Sequence, residues 1–221
     1  MTHQQQQLVN KTAEFIEKKF KNDPSGHDWW HMCRVWRMAK YIASKEENVD
    51  MLVVELAALL HDIADHKFHS GDMEIGATAA GKWLKSIKVD NKTIAQVQDI
   101  INNISNKKFR DKLKNDLKTI EGQIVHDADK LDALGAIGIA RLFRTGGHLS
   151  QPIYDPSVAL DAKYGKSAHP WGYSDIHHFY EKLLMLKDRM FTKTGRQMAE
   201  HRHKYMEDYL KEFYAEWDGK L

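Results

Sequence analysis

The chain has 221 residues, with 33 basic and 31 acidic side chains and a formal charge of +2, so it is long enough to bury a core and too evenly charged to argue for nucleic acid. Hydrophobic residues at 42% and charged residues at 29% are those of a folded globular chain, which excludes disorder as its main state. The single cysteine, Cys33, excludes an intramolecular disulfide and a cysteine-built zinc site; with a polar start at 1–7 and no apolar run of membrane-spanning length, a cytoplasmic protein with no membrane partner is expected.

The helical period runs through most of the sequence. Val9, Ala13, Ile16 and Phe20 recur at helix spacing until Asp23-Pro24-Ser25-Gly26 stops the segment. A second helix is predicted over 29–44, with Val35, Met38, Ala39 and Ile42 on one side. Asp50 can cap a third over 51–60, which is apolar almost all round and therefore central. Asp72 can cap a fourth reaching about 87, and Asn91 opens a fifth through 104. Residues 107–118 are charge-rich and poorly periodic, as in a solvated connection or a short exposed helix. A further apolar helix is predicted over 124–143, with Gly135 and Gly138 permitting close packing. Ser174 can cap a helix to about 190, and Thr194-Gly195-Arg196-Gln197 has the form of a capping box opening the last helix, to about 217. Strand signals are weak, so the expected fold is all-α, in one domain over 1–221. Residues 145–173 hold three of the four prolines, four glycines and Ile153, Tyr154, Tyr164 and Trp171, the composition of a loop packed over a site.

The thirteen histidines are the unusual feature. His-Asp occurs three times, at 27–28, 61–62 and 126–127. The middle pair ends the nearly pure core helix, where a carboxylate without a partner is costly and a metal or another cation is the usual remedy. A helix simply ending at solvent is the competing reading. His27 and His31 are four apart, but Pro24 and Gly26 set His27 before the first full turn. Asp127, Asp129 and Asp132 lie in an apolar segment, where one can bind metal while the others bond helix ends or basic residues. His178 and Lys182 form an i,i+4 pair after the long loop; aimed inward they would be a cation pair for phosphates, aimed outward a solvated helix face with Glu181, and Arg141 has the same two readings.

The ordered set His31, His61-Asp62 and Asp127 resembles the H…HD…D signature of the HD-domain metal-dependent phosphohydrolases. The flanking runs 27–31, 60–65, 127–141 and 178–183 are similar to its YedJ/YpgQ-like branch, and the likeness extends from about 26 to the C-terminus. A bare His-Asp dipeptide says almost nothing; the ordered set with its flanks is specific. The resemblance implies an all-α HD fold, with a core motif region over about 26–145 and C-terminal helices over about 174–217. It further implies that His31, His61, Asp62 and Asp127 converge on one divalent cation. Two imidazoles with two carboxylates suit Mn²⁺, the ion favoured here, or Fe²⁺, Co²⁺, Ni²⁺ or Zn²⁺, with Mg²⁺ also open. Two-metal members carry further histidines between the HD pair and the last Asp, whereas 100–106 here has none, so one metal is expected.

Such a cation would polarise a phosphoryl oxygen and supply a water nucleophile near neutral pH. Asp62 and Asp65 are the catalytic candidates. Asp65 would share the side of His61 and Asp62 if the helix continues, as a base or as an acceptor for a metal-bound histidine. Lys67, His27, Arg141, His178 and Lys182 are the substrate-binding candidates. The branch implies hydrolysis of nucleoside triphosphates to the monophosphate and pyrophosphate. A phosphomonoesterase or phosphodiesterase acting on nucleotides, or a metal- or nucleotide-binding sensor without turnover, are the alternatives. The expected partner is a small phosphorylated molecule, read as a nucleotide; a homodimer is left open. Nucleic acid is not expected, because the lysine runs at 82–92 and 107–118 are broken by Asp90, Asp111 and Asp116.

Overall fold

The computed structural model describes residues 1–21, 28–64, 75–105, 117–160 and 173–221. Among these residues every regular element is a helix and there is no strand, as the sequence predicts. No helix among them is long and apolar enough to cross a membrane. The chain forms two compact units, residues 1–129 and 130–221.

The first unit contains α1 (His3–Phe20), α2 (Trp29–Ala43), α3 (Met51–Leu60), α4 (Ile75–Ser86), α5 (Asn91–Ser105) and most of α6 (Ile120–Leu131). Its centre is α3. Nine of its ten residues are buried, every one but Met51, and it packs against α1, α2 and α5. Asp50 begins it as predicted, its Oδ1 accepting from the amides of Leu52 at 3.0 Å and Val53 at 3.3 Å. Asp28 does the same for α2, accepting from the amide of His31. The first helix begins earlier than its apolar stripe shows. Thr2 and Gln5 form a capping box, each side chain accepting from the other's backbone N–H, so the polar start is helical.

One buried charge ties α2 to α3. Glu55, whose side chain is 1% exposed, accepts from the indole N–H of Trp36 at 2.7 Å, with the Lys40 ammonium at 3.6 Å. A charge on an otherwise apolar helix is tolerated only when partnered, so this contact selects one register of α2 on α3.

The second unit contains α7 (Gly135–His148), α8 (Asp175–Glu181), a 3₁₀ helix (Leu183–Arg189) and α9 (Lys193–Trp217). Here the structure corrects three expectations. The helix read as continuous over 124–143 is two. Gly135 at φ +73 sits in the left-handed region, which an L side chain enters at a cost of about 1–2 kcal/mol, and the chain breaks there between α6 and α7. The helix after Ser174 stops at Glu181 and tightens to 3₁₀, although Ser174 does cap it by accepting from the amide of His177. The last helix is capped by Thr192, which accepts from the amide of Gly195 at 2.9 Å, and not by Thr194.

The expected loop over 145–173 is shorter, since α7 runs to His148. Its described part packs on its own unit. The carbonyls of Pro152 and Ile153 accept from the amides of Asp175 and Ile176, and Tyr154 lies among Phe213, Tyr214 and Trp217 of α9. Residues 161–172, with Tyr164 and Trp171, lie outside the described residues, as do Asp72 and 106–116.

Removing the partner of Trp36 leaves a desolvated N–H, a loss of about 1–3 kcal/mol. Glu55→Ala is expected to lower unfolding free energy by that amount in urea titrations, while Glu55→Gln, which keeps an acceptor, recovers most of it. Equal stability of Glu55→Ala and the unaltered protein would remove this contact from the account.

Candidate metal centre

Helix ends build the site. His31 is the third residue of α2, and its own amide is the one that the Asp28 cap holds, at 2.9 Å. The bond that starts the helix therefore also fixes the backbone of the histidine. His61 is the residue that ends α3, and its Nδ1 lies 2.9 Å from the carbonyl oxygen of Ala58. That carbonyl belongs to the last turn, where helix carbonyls lack intrahelical partners, so one contact satisfies the helix end and sets the ring. With Nδ1–H donating to Ala58, the tautomer assigned by this bond leaves a lone pair on Nε2.

The two Nε2 atoms of His31 and His61 are 3.2 Å apart, and both side chains are 1% exposed. Asp62 Oδ2 lies 3.5 Å from each. Asp129 Oδ1, from the last turn of α6, lies 3.7 Å from each. Ligands about 2.1 Å from a shared cation stand about 3.0 Å apart at right angles and about 3.4 Å apart at the tetrahedral angle, so these spacings fit one ion.

The electrostatics point the same way. Asp62 follows the C-terminal end of α3, and Asp129 lies in the last turn of α6. Helix C-termini carry partial negative charge and disfavour carboxylates. Two carboxylates, each 19% exposed, beside two buried imidazoles are an arrangement that a cation relieves. The donor set of two nitrogens and two carboxylates suits a first-row transition ion better than a purely oxygen-seeking one.

His31, His61 and Asp62 thus come together as the sequence predicts. Asp127 does not join them, and Asp129 takes its place: among the described residues, His31, His61 and Asp129 form the group able to hold an ion. The reason is helical geometry. Residues two apart on a helix face about 200° away from each other, so Asp127 and Asp129 cannot both reach the imidazoles. Asp127 is fully buried, with its Oδ1 3.1 Å from Nδ1 of His126. Asp132 behaves as one of the three carboxylates was expected to, accepting from Arg141 at 2.8 Å, which commits Arg141 to a structural contact within the second unit.

Of the two readings of His178 and Lys182, the pair of cations is the one that burial of His178 opposes. Burial, helped by the Lys182 charge, pushes His178 down to about 3, so it is neutral near pH 7 and only Lys182 can carry charge. The condition on which Asp65 would share the helical side of His61 and Asp62 is not met, because α3 ends at Leu60, as expected, and residues 61–64 form a turn. Asp65, Lys67 and His27 lie outside the described residues.

The sequence profile of the HD domain matches residues 29–134, which span the whole donor set. YpgQ of Bacillus subtilis, an uncharacterized protein, is 35% identical over 207 residues, covering 93% of this chain and 91% of its own. The chain belongs to the HD-domain superfamily. Two solved structures agree with that membership. An HD-superfamily hydrolase from Bacillus thuringiensis is 38% identical with a TM-score of 0.74, covering 97% of this chain and 98% of its own. YpgQ from Bacillus subtilis in complex with ADP is 30% identical with a TM-score of 0.76, covering 96% of both chains. The HD protein described here is accordingly an enzyme, a hydrolase of a metal-dependent phosphohydrolase family.

Asp129 and Asp127 are separable by titration. Asp129→Asn is expected to weaken Mn²⁺ binding by more than about 100-fold, and Asp127→Asn by less than about 10-fold, read from the free-Mn²⁺ electron paramagnetic resonance signal. The reverse order would restore Asp127 as the ligand.

Proposed function

We propose that this protein hydrolyses nucleoside triphosphates, deoxynucleotides among them, to the monophosphate and pyrophosphate, with one divalent cation held by His31, His61, Asp62 and Asp129. The observation that carries the reading is that two imidazole nitrogens 3.2 Å apart each have the carboxylates of Asp62 and Asp129 at 3.5 and 3.7 Å. The ADP complex of the relative YpgQ supports a nucleotide as the substrate class. Mn²⁺ is the favoured ion, because imidazole prefers transition ions to Mg²⁺.

When bound, the cation supplies Lewis acidity toward a phosphoryl oxygen and a water nucleophile near neutral pH. The chain's residues do the rest. His31 and His61 offer their Nε2 atoms, and the Ala58 carbonyl, 2.9 Å from Nδ1 of His61, turns the other ring nitrogen of His61 toward the centre. Asp62 and Asp129 contribute two negative charges, which balance a dication and leave no net charge to repel an incoming phosphate. Asp65 follows within three residues of Asp62 and is the proposed acceptor of the water proton. Lys67 and His27 are proposed to bind the phosphate chain.

Which bond breaks is read from the products. With Mn²⁺, chromatography of a dNTP reaction is expected to show dNMP and pyrophosphate in equal amounts, and Asp62→Ala is expected to lower kcat/KM by roughly a thousandfold. Full turnover by Asp62→Ala at saturating Mn²⁺ would reject the site. Inorganic phosphate released from nucleoside monophosphates or cyclic nucleotides, with dNTPs untouched, would identify a phosphomonoesterase or a phosphodiesterase instead. Tight metal binding without product from any of these would identify a sensor.

A further inference from the structure

The turn that carries His61 and Asp62 has a tether from another helix. Lys19, in the last turn of α1, donates from Nζ to the carbonyl oxygen of Ile63 at 2.8 Å, across 44 residues of sequence. The acceptor is the residue immediately after Asp62. Ile63 is 2% exposed, and its amide donates to the carbonyl of Leu60 at 3.1 Å, so the turn is closed locally on one side and held by Lys19 on the other. The Lys19 ammonium also lies 5.4 Å from the centre of the Phe20 ring, and burial lowers its pKa from the ordinary lysine value.

We infer that Lys19 is a positioning residue for the metal centre: its bond to Ile63 fixes the turn that presents His61 Nε2 and the Asp62 carboxylate to the ion. Two physical effects act together. Beyond Leu60 the helical hydrogen-bond ladder no longer restrains the backbone, and a carbonyl anchored from outside replaces that restraint. The ammonium also places positive charge beside the C-terminal end of α3, whose partial negative charge otherwise opposes the Asp62 carboxylate. Lys19 touches neither ion nor substrate in this role. Groups that orient metal ligands typically change metal affinity by about 10–100-fold when removed, and that range is expected here.

The inference rests on the proposed metal centre, and its test separates the two. Mn²⁺ dissociation constants are measured by electron paramagnetic resonance for the unaltered protein, Lys19→Met, Lys19→Arg and His31→Ala, with thermal midpoints of each metal-free form. Lys19→Met is expected to weaken Mn²⁺ binding by about 10-fold or more with the helical circular dichroism spectrum retained, and Lys19→Arg, which keeps charge and donor, to recover most of it. The difference between Lys19→Met and the unaltered protein in the thermal shift produced by saturating Mn²⁺ gives a second readout, since ligand binding raises the midpoint through its affinity. A Lys19→Met protein with a lower metal-free midpoint but unchanged Mn²⁺ affinity would overturn the inference, reducing Lys19 to a packing contact, while the centre itself would stand. If the unaltered protein and His31→Ala bind Mn²⁺ equally, the centre fails and the inference falls with it.

Discussion

Two imidazole nitrogens 3.2 Å apart, with two carboxylates 3.5 and 3.7 Å from each, are the constraint around which the first unit is arranged. Lone pairs and negative charges gathered at low exposure repel one another, and the two carboxylates sit at the unfavourable ends of helix dipoles. Left without a cation, such a cluster opposes folding. The surrounding helices hold it through contacts away from its metal-facing atoms, and a dication would reverse the sign of the interaction.

Those contacts are concentrated at the ends and on the far side of the helices. The apolar surround of α3 holds it in the middle of α1, α2 and α5, and Glu55 sets the register of α2 against it through Trp36. The Asp28 cap then fixes the first turn of α2 at His31, the Ala58 carbonyl fixes the ring of His61, and the Lys19 ammonium holds the turn behind Asp62. The first two use backbone groups that a helix end leaves unpaired, and the third a carbonyl in the turn that follows one. Function is thereby placed where helices stop, and packing where they run.

The same division explains what was legible in the sequence. Repeating apolar residues reveal helix bodies, so α2, α3 and α5 stand nearly where the pattern puts them. Helix ends depend on single hydrogen bonds and on backbone handedness, which the pattern does not carry: Gly135 reads as a packing glycine and turns out to be a left-handed break, and Thr192 caps α9 where Thr194 has the better motif. At the site, the resemblance of the ordered motif to the HD family finds His31, His61 and Asp62. It cannot choose between Asp127 and Asp129, because two residues two apart on one apolar helix look alike in composition and differ only in direction. Side-chain protonation is likewise invisible to spacing, so the His178–Lys182 pair reads as two cations until burial makes one of them neutral.

The central claim, one cation on this particular donor set, is tested most directly by anomalous diffraction from Mn²⁺-soaked crystals. One peak is expected, bound by Nε2 of His31, Nε2 of His61 and the carboxylates of Asp62 and Asp129, each at about 2.0–2.3 Å. A peak ligated by Asp127 in place of Asp129, or two peaks about 3.5–4 Å apart, would contradict it.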